Sequence, residues 1–272
     1  MRIKLSDIII YIVLTLLSMI IIFPFIWLVL SAFKPSIIQV SIPPVWIFNP
    51  TIDNFVRLFT TTDFLRGYVN SFIISGISTP IIVIVSSLAG YALDRWDFWG
   101  KETLALLFFA VWMFPAVAFA IPIFMLHRAL GLLDTHIGII LVFSYGETGL
   151  GMWLMRSYFS AIPKEIDYAA RLDGHSAFSA FFKEILPLAR SGVVTTALFM
   201  FIITWNEFLL SYLLTRSTVR PVIPVIASLI GYHGVDIGLM MAAGLLSTLP
   251  IIIISLIIQR ELIRGLTFGA IR

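Results

Sequence analysis

Seven charged residues, Lys164, Glu165, Asp167, Arg171, Asp173, Lys183 and Glu184, crowd into residues 163–189, PKEIDYAARLDGHSAFSAFFKEILPLA. The runs on either side are apolar. A connector between apolar runs needs only a few residues. One this long, charged and patterned offers ion pairs and hydrogen bonds to something outside it, or else is a solvated connector whose phenylalanines rest on lipid. A second polar set stands isolated inside apolar runs: Glu147, and Trp205, Asn206 and Glu207 in succession. A charged residue at the centre of a membrane helix costs roughly 2.5–3.5 kcal/mol. Each carboxylate therefore needs a water-lined path or a hydrogen-bonding clamp between helices. Trp205 and Asn206 join an aromatic face to an amide edge, the two contacts that sugar recognition uses. Glu147 lies in Tyr145-Gly146-Glu147-Thr148-Gly149, where two glycines can open a helix. There it lines a path or pairs with Arg156. The four histidines, His127, His136, His175 and His233, have no i+4 partner and the chain has no cysteine, so no metal site is expected. G-x-x-x-x-G-K-[ST], H-E-x-x-H and G-x-S-x-G do not occur. Neither an enzyme nor a bound cofactor is expected.

The elements that must position these residues follow from composition. The chain is 60% hydrophobic and 12% charged, against about 25% charged in soluble proteins. A helical span needs roughly 20 apolar residues. Six stretches qualify: 8–32, 68–93, 102–125, 136–158, 191–214 and 237–258. The first is too long for the apolar segment of a signal peptide and is read as an uncleaved span. Pro24, Pro80, Pro115, Pro122 and Pro250 are read as kinks. With the N-terminus inside, twelve Lys and Arg fall on inner segments and six on outer ones, which predicts cytoplasmic termini and a cytoplasmic 163–189 block. The net charge of +3 is a topology signal and implies no nucleic acid. The predicted fold is all-α and polytopic, with six transmembrane helices and a cytoplasmic helix between the fourth and fifth. Residues 1–67 form the first span and an extracytoplasmic loop, and 68–272 a five-helix core. Gly231, Tyr232, His233 and Gly234 form the tip of the outer loop 215–236, or an ordinary turn.

Within 163–189, Pro163 suits a first helical turn, and Glu165 and Asp167 sit near its positive end. Gly174 stops that helix in a left-handed conformation. A second helix is predicted from Ser176 to Leu186, with Phe178, Phe181, Phe182 and Ile185 forming one apolar stripe along the membrane surface and Pro187 ending it. The small pair Ala169–Ala170 permits close approach by a partner.

D-Y-A-A-R-L-D-G followed by F-x-x-I-L-P resembles the EAA loop of ABC importer permeases, whose consensus reads E-A-A-x-x-D-G and then I-x-L-P. The match covers Ala169, Ala170, Asp173, Gly174, Ile185 and Pro187. Trp205-Asn206-Glu207-Phe208 looks like the W-N-E-F signature of sugar permeases, and Arg264-Gly265-Leu266-Thr267 with Gly269-Ala270 looks like the tail of the smaller maltose-type permease. The resemblance covers nearly the whole chain and is strongest over 163–272. It implies that Glu165, Asp167, Tyr168, Ala169, Ala170, Asp173, Gly174 and His175 couple to a cytoplasmic ATPase. It further implies two such ATPase subunits, a second and different permease, and an extracytoplasmic sugar-binding protein reached by Gly231–Gly234. Trp205, Asn206, Glu207 and Glu147 would line the substrate path. The tail 264–272 would reach the ATPase interface, or lie on anionic lipid. Tyr168 stands where the family places a glutamate, and His175 where it places an alanine. Asp167 or Glu165 would then substitute, or Tyr168 would pack in the ATPase groove itself. Three rivals stay open: a secondary transporter driven by an ion gradient through Glu147 and Glu207, a non-transporting scaffold, and an ABC permease for a non-sugar solute.

Overall fold

The computed structural model describes residues 5–231 and 234–268. The chain runs through α1 (Leu5–Ala32), α2 (Asp53–Thr61), α3 (Phe64–Arg95), α4 (Lys101–Met113), α5 (Ala116–Ala129), α6 (His136–Ser160) and α7 (Glu165–Leu172). It continues with α8 (Ala177–Ala180), a π-helical turn (Phe181–Ile185), α9 (Leu186–Leu188), α10 (Arg190–Asn206), α11 (Leu209–Leu214), α12 (Val222–Ser228) and α13 (Ile237–Phe268). Before α13, β1 (Ile230–Gly231) pairs antiparallel with β2 (Gly234–Val235). Tyr232 and His233 of the expected loop tip, and the last four residues of the tail, lie outside the described residues.

Among the described residues four helices are long and apolar enough to cross a membrane singly: 8–32 within α1, α3, α6 and 237–259 within α13. Two bent pairs bring the number of candidate spans to as many as six, if each pair is one span. The third expected span, 102–125, is one of these pairs: α4 and α5 meet at 91°. Pro115 causes the break. It lacks an N–H and disfavours a helical residue before it, and Phe114 adopts φ −72°, ψ 137°. The fifth expected span, 191–214, is also interrupted. Its helix ends at Asn206, Glu207 turns extended at ψ 122°, and helix resumes at Leu209. The glycines around Glu147, by contrast, do not open α6, which runs unbroken from His136 to Ser160. Gly149 serves a different purpose: a Cβ there would lie 2.4 Å from the Phe108 carbonyl oxygen. Its missing side chain lets the α4 backbone approach α6.

The chain divides into two compact units. One comprises 1–65 and 225–249. Buried Asn54 organises it, donating through Nδ2 to the carbonyls of Ala32 and Lys34, both at 2.9 Å. Arg57 forms an ion pair with Asp236, and the α1 span leaves its apolar surface exposed. The other unit comprises 66–224 and 250–272. There Ile74, Ile139, Val142, Phe143 and Leu214 form one core cluster, and Tyr91, Met155, Phe159, Phe181, Ile185 and Ala189 another. Arg156 bridges α6 to α4 with a two-pronged bond to Glu102, at 2.9 and 2.5 Å.

Candidate functional site: the 163–189 hairpin and the isolated polar residues

Gly174 has φ +87°, where a side chain would be strained. The His175 N–H donates to the Ala170 carbonyl at 3.0 Å and the Gly174 N–H to the Arg171 carbonyl at 3.1 Å. These crossed bonds are a Schellman cap, which satisfies the last carbonyls of α7 and reverses the chain. Ser176 then caps α8, its Oγ accepting from the Ser179 N–H at 3.2 Å. Pro187 does not end the helical run. The turn ahead of it widens, the Leu186 N–H reaching back to the Phe181 carbonyl, and the chain bends only at Ala189, entering α10 at 80°.

The expected single stripe of aromatic residues is split by this turn. Phe181 and Ile185 are buried against Tyr91 and Phe159, whereas Phe178 and Phe182 are exposed and pack on each other at 4.7 Å. The hairpin is thus anchored by one face and leaves the other open. A polar anchor lies alongside. Asp167 is 4% exposed and accepts from Tyr91 Oη and, at 2.7 Å, from Arg95 Nε. Arg95 also pairs with Asp94 and donates to the Ile162 carbonyl at 2.9 Å. Asp167 therefore points inward and is not a substitute for the missing family glutamate on an outer face. Ala170 is buried as well. Glu165, Tyr168, Ala169, Arg171, Asp173 and Gly174 are exposed, His175 is half-buried, and Leu172 is 88% exposed.

The isolated polar residues have internal partners. Glu207 is no mid-helix carboxylate. It sits at the break and caps α11, with Oε1 accepting from the Leu210 N–H at 2.8 Å and Oε2 from the Ser211 N–H at 2.9 Å. Trp205 is 1% exposed, enclosed by Tyr68, Phe72 and Phe201 with ring centroids 4.9–5.6 Å away, so it presents no open face to a sugar ring. Asn206 is exposed and bonds back to the Ile202 carbonyl at 2.8 Å. Glu147 does not pair with Arg156, which is engaged by Glu102. It accepts from Trp112 Nε1 at 2.9 Å. Glu147 and Trp112, with Tyr145, Phe114 and Leu210, border a cavity of about 250 Å³ in the angle between α4 and α5.

Residues 82–267 match the family described as binding-protein-dependent transport system inner membrane component. The chain belongs to this family. It is therefore a membrane-embedded component of a transport system. Its relatives include the trehalose/maltose transport system permease protein MalG of Thermococcus litoralis, 34% identical over 94% of each chain. Another is the trehalose transport system permease protein SugB of Mycobacterium tuberculosis, 36% identical over 82% of each. Among solved structures, a bacterial ABC transporter that imports the polysaccharide alginate shares the fold, with a TM-score of 0.79, 20% identity, and coverage of 96% of this chain and 99% of that one.

Within this inner-membrane component Tyr91, Arg95 and Leu172 belong to the hairpin's surroundings but were not legible as such in the sequence. Arg95 carries a signal, since it closes a long apolar span, but its partner Asp167 is 72 positions away. Leu172 is a leucine next to charged residues on a short helix, and only the folded chain shows that it has no cover.

Proposed function

We propose that this permease is one half of the translocation path of a sugar-importing ABC transporter, driven by ATPase subunits that dock on the 163–189 hairpin. The observation carrying the reading is the hairpin itself. Its inner face is bolted to α3 and α6 by Phe181, Ile185 and Asp167, and its outer face presents Glu165, Tyr168, Ala169, Leu172, Asp173 and Phe178 without internal cover. A push on the outer face therefore reaches the ends of the spanning helices without loss in a soft linker. The sugar preference is supported by relatives named for trehalose and maltose transport. In this reading the termini and the hairpin are cytoplasmic. A second, different permease completes the path, two ATPase subunits supply the energy, and an external binding protein that delivers the sugar is met by the outer loop at residues 231–234. On the path, Glu147 and Asn206 are the residues this subunit has left for the solute, since Trp205 is enclosed and Glu207 is occupied in capping.

The test is co-purification of the tagged permease with its ATPase and uptake of labelled trehalose or maltose. Leu172→Asp places a charge on the open face without touching the anchor. The expected result is a folded membrane protein that loses the ATPase and uptake together. Full ATPase recovery with normal uptake would sink the docking assignment. Uptake sustained by an ion gradient with no ATPase present would instead favour a secondary transporter.

A further inference from the structure

Lys34 lies two residues past the end of α1 and is only 2% exposed. Its ammonium stands 5.0 Å from the centre of the Trp27 ring and 5.4 Å from that of Phe48. Among the described residues no carboxylate and no hydrogen-bond acceptor pairs with it. The backbone beneath is fixed. Gln39 Nε2 donates to the carbonyls of Ser31 at 2.7 Å and Lys34 at 3.0 Å, and Asn54 Nδ2 holds those of Ala32 and Lys34. A lysine that merely snorkels keeps its head in water. This one is held against two rings at the negative end of a helix, which offset its dehydration only in part. A full anion completes such a site.

Trp27 also borders a cavity of about 620 Å³, walled by Phe23, Pro24, Leu28, Trp46 and Met241. Its lining is almost wholly apolar. Phe23 lies nine residues before Ala32, so at the α-helical rise the groove descends roughly 14 Å from the end of the span into the hydrocarbon layer. Trp27 and Trp46, both in its lining, meet edge to face at 5.0 Å near the end of the span, where tryptophans mark the membrane interface. A cation with no anion among the described residues at headgroup level, joined through one tryptophan to an apolar groove of acyl-chain length, fits an amphiphile with a negative head.

We propose that the end of α1 is a binding site for an anionic phospholipid, its phosphate on Lys34 and one acyl chain along Phe23, Trp27 and Trp46. The test uses the purified full-length protein, with whatever subunits accompany it, exposed to phosphatidylglycerol or phosphatidylcholine of matched chains and examined by native mass spectrometry. The intact protein retains phosphatidylglycerol in preference to phosphatidylcholine. Lys34→Gln weakens phosphatidylglycerol retention about fivefold, the contribution of one lysine at an anionic surface, and leaves phosphatidylcholine unchanged. Lys34→Arg preserves it, and Trp46→Ala, which opens the groove, lowers retention of both lipids. Unchanged retention in Lys34→Gln, equal retention of the two lipids by the intact protein, or loss of a protein subunit in place of lipid overturns the site. Where Lys34→Gln does not give monodisperse protein, Trp46→Ala decides, and retention equal to that of the intact protein overturns the proposal.

Discussion

Asp167 and Asp134 show how little a carboxylate's position in the sequence says about its task. Asp167 lies in the motif-bearing helix, yet its oxygens are taken by Tyr91 and Arg95 inside the protein. Removing it leaves a buried guanidinium short of one partner. Asp167→Ala is expected to lower stability by about 3 kcal/mol, the lower end of the cost of breaking a buried pair, because Asp94 still holds Arg95. Thermal unfolding in detergent measures this, and a shift no larger than that of an exposed substitution such as Asp173→Ala would contradict it. Asp134 drew no attention in the sequence, but it sits at φ 53° and gathers the N–H groups of Arg216, Thr218 and Val219 at 2.9–3.3 Å. Burial pushes its pKa up. The three N–H donors outweigh that and hold the carboxyl below the ordinary aspartate value. A depressed folded-state pKa stabilises above the unfolded value, about 3.9, and that stabilisation is lost as pH falls through the folded value. The intact protein should therefore lose stability on acidification below pH ~4 more steeply than Asp134→Asn, and parallel pH profiles for the two would refute the assignment.

At the scale of elements, two helix ends decide the geometry. The Schellman cap of α7 requires the positive φ of Gly174. Gly174→Ala should cost about 1–2 kcal/mol, and Gly174→Asn less, because Asn tolerates the left-handed region. The difference is read from unfolding temperature and from ATPase recovery, and equal behaviour of the two variants would argue against the cap. At the other end, Glu207 restarts the helix after Asn206. Glu207→Ala removes both acceptors from the first turn of α11 and should cost about 1 kcal/mol. The loss appears as faster hydrogen exchange at Leu210 and Ser211, and unchanged protection there would mean the cap contributes nothing. The pattern of apolar residues predicted that the hairpin has an apolar stripe. It did not predict that Phe181 and Ile185 turn inward while Phe178 and Phe182 turn out, because the widened turn ahead of Pro187 shifts the register that an ideal helix would keep.

At the scale of the molecule, a polytopic helical fold was legible from the apolar fraction and from run lengths, since a bilayer admits little else. The family was legible too, because the 163–189 motif combines residue types with fixed spacing. The third and fifth spans were legible as apolar runs and illegible as bent ones: a proline inside a membrane helix is tolerated at Pro24, Pro80, Pro122 and Pro250 and breaks the chain only at Pro115. In the proposed transporter the hairpin moves with α3 and α6 as one body. Loosening the anchor by Tyr91→Phe should therefore leave ATPase binding intact while reducing uptake per ATP hydrolysed, measured in proteoliposomes. An unchanged transport-to-hydrolysis ratio would show that the anchor carries no coupling.

By itself the sequence determined what depends on composition and local pattern: a helical membrane protein, a glycine-stopped helix in a charged hairpin, and the family that hairpin belongs to. Only the tertiary structure decided which polar groups are spent internally. Asp167, Glu207 and Trp205 look available in the sequence and are not, because their partners come from packed backbone turns or from segments far along the chain. Leu172 looks unremarkable in the sequence and is open, because exposure is what remains after all other surfaces have found a partner.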